Sequence, residues 1–205
     1  MTEKVGRRAL QAQQTRRDIL DAARRLFAER GYGVTSVKDI AAEAGVSVQT
    51  IYDSVGRKPE LLAALNDAID ESARIGEIVG RAMAEGTTEA MIALSPRITR
   101  EIVEHAGDIV RIAANAAATQ PDLRRIREDG LARHRAGAHM VCDLLRKRRA
   151  LRRGLQVDTA ADTLAAITDL DVALMLGDHY RWTPDQIESW MTSTARTLLI
   201  EPNSP

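Results

Sequence analysis

Aromatic side chains are scarce in this 205-residue chain, with one Phe, three Tyr and two Trp making up 3% of it. Alanine, leucine, arginine and acidic residues fill most of the remainder, a composition that favours helix over sheet. Cysteine is scarcer still. Cys142 stands alone, so no internal disulfide can form and the pattern of a secreted disulfide scaffold is missing. No apolar run approaches the roughly 18 residues of a membrane span, which argues against a membrane protein. The N-terminus has the positive charge of a signal peptide but not its apolar stretch, because Lys4, Arg7, Arg8, Arg16 and Arg17 interrupt it. The expectation is a soluble, cytoplasmic, helical protein. A chain of this length buries roughly 70% of its unfolded surface and needs no metal or disulfide to fold.

An excess of one charge is also lacking, since 29 Lys and Arg balance 29 Asp and Glu. The distribution is less even. Residues 1–60 hold 11 Lys and Arg against 8 Asp and Glu, and residues 61–205 hold 18 against 21. A basic end on an otherwise acidic chain suggests a local anionic partner.

Residues 1–12 are polar and basic without a clear period and read as a mobile arm. Periodicity starts at Ile19, Ala22, Ala23, Leu26 and Phe27, one face of a helix that Gly31 should terminate. Thr35 or Ser36 then offers a cap for a short helix through Ile40, Ala41 and Ala44. Gly45 interrupts it, and Ser47 caps a second short helix carrying Ile51 and Val55. Gly56 ends that one, and Pro59 suits the first turn of a long helix through Leu61, Leu65 and Ile69. Beyond it, Gly86, Gly107, Pro121, Gly154 and Pro184 divide the rest into about five helical segments, with Gly130 and Gly137 inside one of them. The fold class is therefore all-α with about nine helices. The expected domains are 13–60, a three-helix unit, and 61–201, a helical bundle joined to it by the long helix.

The informative stretch is SVKDIAAEAGVSVQTIYDSV, Ser36 to Val55. Ala41 allows two helices to cross closely, and Gly45 supplies the positive φ of a three- to four-residue turn. Ile40, Ala44, Val46 and Ile51 form the small apolar set that packs both helices on the first. The second helix presents Val48, Gln49, Thr50 and Asp53 outward, as a helix entering a major groove about 12 Å wide would. Any small helical hairpin wants alanine, glycine and isoleucine at such places, so the hairpin alone leaves both readings open.

The flanking residues add a resemblance. The helix ILDAARRLFAERGY (Ile19 to Tyr32), Thr35, DIAAEAGVS (Asp39 to Ser47), Thr50-Ile51-Tyr52, Lys58 and Glu60-Leu61-Leu62 resemble the TetR family of bacterial transcriptional regulators. WTPDQIESWM, Trp182 to Met191, resembles the last dimerisation helix of many members. This chain departs from the family pattern in having Gln49 where glycine is common, Asp53 near a frequent histidine, Val55 for phenylalanine, and Arg57 for a capping serine. The resemblance implies that Thr35, Ser47, Tyr52 and Lys58 hold phosphates while Val48, Gln49 and Thr50 face the bases. Gln49 has an amide able to pair with adenine, and Asp53 a carboxylate that repels phosphate or accepts from a cytosine amine. It also implies a homodimeric repressor, released from a pseudo-palindromic operator by a small-molecule effector. A regulator binding a protein partner instead is the alternative, and an enzyme built on a helical bundle is a distant one.

Other clusters carry less. His105, His134, His139 and His179 lack paired metal-ligand spacing, so no metal or cofactor is expected, and the sequence shows no nucleophile–base set or phosphate loop. The run Arg146, Lys147, Arg148, Arg149, Arg152, Arg153 fits either a cation-rich helix C-terminus or a second nucleic-acid contact. Met91, Asn115 and His139 are candidate effector contacts within the alanine-rich stretch from Ile75 to Leu151, whose small side chains would leave a cavity or let helices pack tightly. Ile187, Trp190, Met191, Thr194 and Leu198 form an apolar stripe, read as a dimer interface with the Ala160–Leu176 segment; closing the protomer's own core is its other possible use.

Overall fold

The first helix begins earlier than its apolar period does. In the computed structural model, which describes residues 2–202, helix α1 runs Thr2–Arg30. The expected arm is therefore helical. Its Ala, Leu, Gln and Arg residues favour helix intrinsically, and Arg7 to Gln14 are exposed, so no packed face imprints a period on them. The buried stripe of Ile19, Ala22, Ala23, Leu26 and Phe27 follows. Gly31 at φ 91° ends the helix, its N–H bonded to the Phe27 carbonyl at 3.0 Å.

Helix α2 (Val37–Glu43) starts in a reciprocal cap, where the Asp39 N–H donates to Ser36 Oγ and the Ser36 N–H donates to Asp39 Oδ2. Gly45 at φ 66° turns the chain, and Ser47 caps helix α3 (Val48–Ser54). Helix α4 (Lys58–Asp67) follows Arg57, and Glu60 serves its start by accepting from the Arg57 N–H at 2.9 Å. Ile40, Ile51, Leu61 and Leu62 are fully buried around α1. Each such side chain contributes about 1.5–3 kcal/mol.

The expected long helix through Ile69 is interrupted. One turn, α5 (Ile69–Ser72), and helix α6 (Ile75–Glu85) follow α4, with Arg74 between them at φ 52°. Asn66, Asp67, Asp70 and Ser72 compete with backbone hydrogen bonding and weaken helix there, while Ile69 and Ala73 are buried. Helix α7 (Thr88–Thr119) runs straight through the expected break at Gly107, which lies buried inside it. A 3-10 turn (Pro121–Leu123), α8 (Arg124–Lys147), α9 (Val157–Ile167), α10 (Leu170–Asp178) and α11 (Pro184–Leu199) complete the chain. Gly130 and Gly137 stay within α8. Asp169 accepts from the N–H groups of Asp171 and Val172 and starts α10, splitting one expected helix into two. The described residues form an all-α fold of eleven helical segments without a strand; Leu151 and Ile200 make one isolated bridge.

Two compact units emerge, with a different division from the one expected at residue 60. The first comprises the chain up to Ala68 together with Asp108–Arg127. The segment 108–127 belongs there because Ile109, Ile112 and Ala116 are buried, and because Arg24 Nε and Nη2 donate to Asp108 Oδ2 and Oδ1, both at 2.6 Å. The second unit comprises Ile69–Gly107 and the chain from Glu128 onward. Its core gathers Met91, Ile92 and Leu94 with Val141, Leu145, Leu164, Ile187, Met191 and Leu199. Within it, Arg100 at 3.0 Å from Asp185 ties α7 to the start of α11. The basic run also lies in this unit. Arg146 pairs with Asp143, and the Arg152 guanidinium donates to the Thr197 carbonyl at 2.6 Å.

Candidate nucleic-acid interface

Helix α3 is anchored on one side and exposed on the other. Ile51 is fully buried, whereas Gln49, Tyr52 and Asp53 are exposed and Val48 and Thr50 are half-buried. Ser47 serves the cap: its Oγ accepts from the Thr50 N–H at 3.0 Å and lies 2.8 Å from the Thr50 hydroxyl. The far end of α3 is braced by Arg16, whose guanidinium donates to the Ser54 carbonyl at 2.7 Å. Along the exposed face the Gln49 amide nitrogen donates to Asp53 Oδ1 at 2.8 Å.

Lys58, at the start of α4, is seated on the buried Tyr32. The Lys58 ammonium lies 4.3 Å from the centre of the Tyr32 ring and donates to the Gly33 carbonyl at 3.3 Å. Burial lowers the Lys58 pKa from its ordinary value. The Tyr32 phenol is raised, first by burial and then by the Glu60 charge. Tyr32 in turn packs against Phe27, with ring centroids 5.0 Å apart. The sequence does not single out Tyr32 as the seat of Lys58, because the 25 residues between them hide the contact.

Thr35 corrects its expected role. It is 2% exposed, and its hydroxyl donates to the Gly31 carbonyl at 2.9 Å, with the Leu26 carbonyl at 3.2 Å. That hydroxyl closes the C-terminus of α1 and is not offered to a phosphate. Ser47, Val48, Gln49, Thr50, Tyr52 and Lys58 do fall on or beside α3, as their spacing implies.

A short helix, a glycine turn, and a second helix held by its buried face and exposed along the other define a helix-turn-helix domain. Residues 19–65 match the model for bacterial regulatory proteins of the tetR family. The chain is 43% identical over 68 residues to the HTH-type transcriptional regulator TtgR of Pseudomonas putida, covering 33% of this chain and 32% of that protein. The matched stretch thus spans about a third of that relative's length. Among solved structures, a SmeT–triclosan complex aligns with a TM-score of 0.75 at 19% identity, covering 94% of both chains. NalD, described as the secondary repressor of the MexAB-OprM multidrug efflux pump in Pseudomonas aeruginosa, aligns with a TM-score of 0.70 at 21% identity, covering 94% of this chain and 98% of that one. Residues 19–65 are thus similar in sequence to the helix-turn-helix domain of tetR-family regulators, and the likeness in fold runs through most of the chain.

The residues expected to contact an effector lie in different surroundings. Met91 is 1% exposed inside the core of the second unit. Asn115 belongs to the first unit and is exposed. His139 is half-exposed and engaged by Asp158 at 3.0 Å and Asp143 at 3.3 Å. Polarity and plasticity picked them, and neither property reports position.

The α11 stripe divides in two. Ile187 and Met191 are 1% and 0% exposed within their own protomer, so their packing satisfies that core and cannot serve a partner. Trp190 and Thr194 are half-buried and Leu198 is exposed. Trp182 and Trp190 meet edge to face, centroids 6.1 Å apart. With Asp185, Gln186 and Ser189 they line an open groove of about 420 Å³.

Proposed function

We propose that this chain is a dimeric, ligand-responsive transcriptional repressor that acts in the cytoplasm and binds duplex DNA through α3. One observation carries the reading: Ile51 is buried and α3 capped, while Gln49 and Tyr52 are exposed along its other face. Val48, Gln49 and Thr50 read base edges, and Ser47, Tyr52 and Lys58 engage phosphates. Trp190, Thr194 and Leu198 supply the dimer contact, giving two copies of α3 about 34–36 Å or more apart on a pseudo-palindromic site. The structural likeness to a protein solved with triclosan supports a small-molecule effector. That effector lowers DNA affinity by binding the DNA-incompetent state better, and a coupling of about 1–3 kcal/mol weakens binding roughly 5- to 150-fold. The function is regulation and not catalysis.

Selection from random and genomic duplexes, followed by titration at several salt concentrations, tests the reading. A palindromic motif should emerge, with affinity falling steeply as salt rises. Tyr52→Ala and Lys58→Ala should weaken all duplexes alike. Gln49→Ala should cost about 1–3 kcal/mol at one base position and relax preference there. Failure to select any motif refutes the proposal.

A further inference from the structure

Helix α1 continues well beyond the core that holds it. Its buried stripe begins at Ile19, yet the helix starts at Thr2, and Arg7 to Gln14 are exposed. At about 1.5 Å per residue the stretch ahead of Ile19 is roughly 25 Å long. Its charge is lopsided, with Lys4, Arg7, Arg8, Arg16 and Arg17 against Glu3 alone. The face that packs on the core can be followed outward along it. Counting back from Ile19, Arg16, Thr15, Ala12 and Arg8 continue the buried stripe at i−3, i−4, i−7 and i−11. At the root of this face the Arg16 guanidinium donates to the carbonyl of Ser54, the last residue of α3, at 2.7 Å. The line from Arg16 through Ala12 to Arg8 therefore leads away from the end of the helix assigned to the major groove. Leu10, 68% exposed, marks the opposite side.

We propose that this face of the α1 extension docks on the phosphates of duplex DNA beyond the bases that α3 reads. The inference rests on the DNA-binding reading above and adds a second surface to it. A groove is bordered by sugar-phosphate backbone, so a face that runs on from the end of α3 meets phosphates before it meets bases. Ala12 has no side chain to hold a backbone off, and Arg8, one turn further out, supplies a guanidinium whose fork matches phosphate oxygens. Such contacts fix position and add affinity without reading sequence. The excess of arginine and lysine selects a polyanion, and the bond from Arg16 to the end of α3 makes that polyanion the duplex α3 already holds.

The experiment uses the full-length protein and the duplex it selects from a random library, made once with the motif alone and once with about one further helical turn on each side. Wild type should bind the longer duplex about tenfold more tightly, and ethylating phosphates outside the motif should remove that gain. Arg8→Ala keeps a strong helix former in place. It should abolish most of the gain and lower the salt slope by about 1, with the selected motif unchanged. Ala12→Glu and Leu10→Glu add the same charge at exposed positions about 160° apart around the helix. On the longer duplex the first should cost about tenfold and the second less than about threefold. Neither should move the thermal midpoint, since both side chains lie outside the core. Equal losses from the two Glu variants would mean diffuse electrostatics and overturn the proposal. So would a flank gain that survives in Arg8→Ala, or a flank base preference that disappears in it, which would assign Arg8 to base reading. Wild-type protein that selects no duplex would instead remove the regulator reading beneath it.

Discussion

Removing the ion pair between Arg24 and Asp108 should loosen the first unit measurably, and the size of the effect follows from its geometry. The two guanidinium–carboxylate bonds are both 2.6 Å long, and the side chains retain 32% and 36% of their exposure. Opposite charges about 4 Å apart at an effective dielectric near 20 attract by about 4 kcal/mol. Partial exposure screens that attraction, and two desolvated ions offset more of it, leaving a coupling of about 1–2 kcal/mol. A double-mutant cycle of Arg24→Ala and Asp108→Ala, read by urea unfolding, isolates this value. Thermal midpoints of the single variants should fall by about 2–8 °C for a chain of this size. Burial raises the Asp108 pKa, but the Arg24 hydrogen bonds and charge, together with backbone N–H groups, outweigh it and hold the pKa below its ordinary value. A carboxylate depressed in the folded state contributes stability that is complete above its unfolded pKa and is lost as pH falls through the folded one. The gap between wild type and Asp108→Ala should therefore be full at pH 7 and narrow as pH drops below about 4. A coupling under about 0.3 kcal/mol, or a gap that widens in acid, would refute the reasoning.

Three further outcomes are expected. Thr35→Val should destabilise the fold by about 1–3 kcal/mol in denaturant, since two carbonyls lose a buried donor, yet leave the salt dependence of DNA binding unchanged. Ile187→Ala and Met191→Ala should each cost about 2–5 kcal/mol of stability, whereas Leu198→Ala should leave stability nearly unaltered and weaken dimerisation in sedimentation. Cys142 is fully buried, and burial followed by the Asp143 charge pushes its thiol up to about 12, so it should resist a thiol reagent at pH 8 until the protein unfolds.

Local chemistry was legible in the sequence because its causes are local. The caps at Ser36 and Ser47 and the turns at Gly31 and Gly45 each depend on a few neighbouring residues, and all form where the spacing puts them. The buried face of α1 and the outward residues of α3 follow from the helical period for the same reason. The Gln49–Asp53 bond is itself an i, i+4 contact, readable once both side chains are placed on one helix. Assignments that needed a distant partner behaved differently. The Thr35 hydroxyl can meet a phosphate or a carbonyl, and only the return of the chain past Leu26 and Gly31 chose the carbonyl. Gly107 has the low helix propensity of a breaker, but burial within α7 overrode it. The apolar residues of α11 occupy two adjoining faces, and spacing cannot say which face meets the protomer's own core. Packing in the second unit enclosed Ile187 and Met191 and left Leu198 outside. Segment 108–127 joined the first unit through a contact spanning 84 residues, between Arg24 and Asp108. Helix and cap are specified within a turn or two of chain, where a residue's neighbours are known in advance. Burial and long-range ion pairing depend on which surfaces meet, and that is settled only when the whole chain has folded.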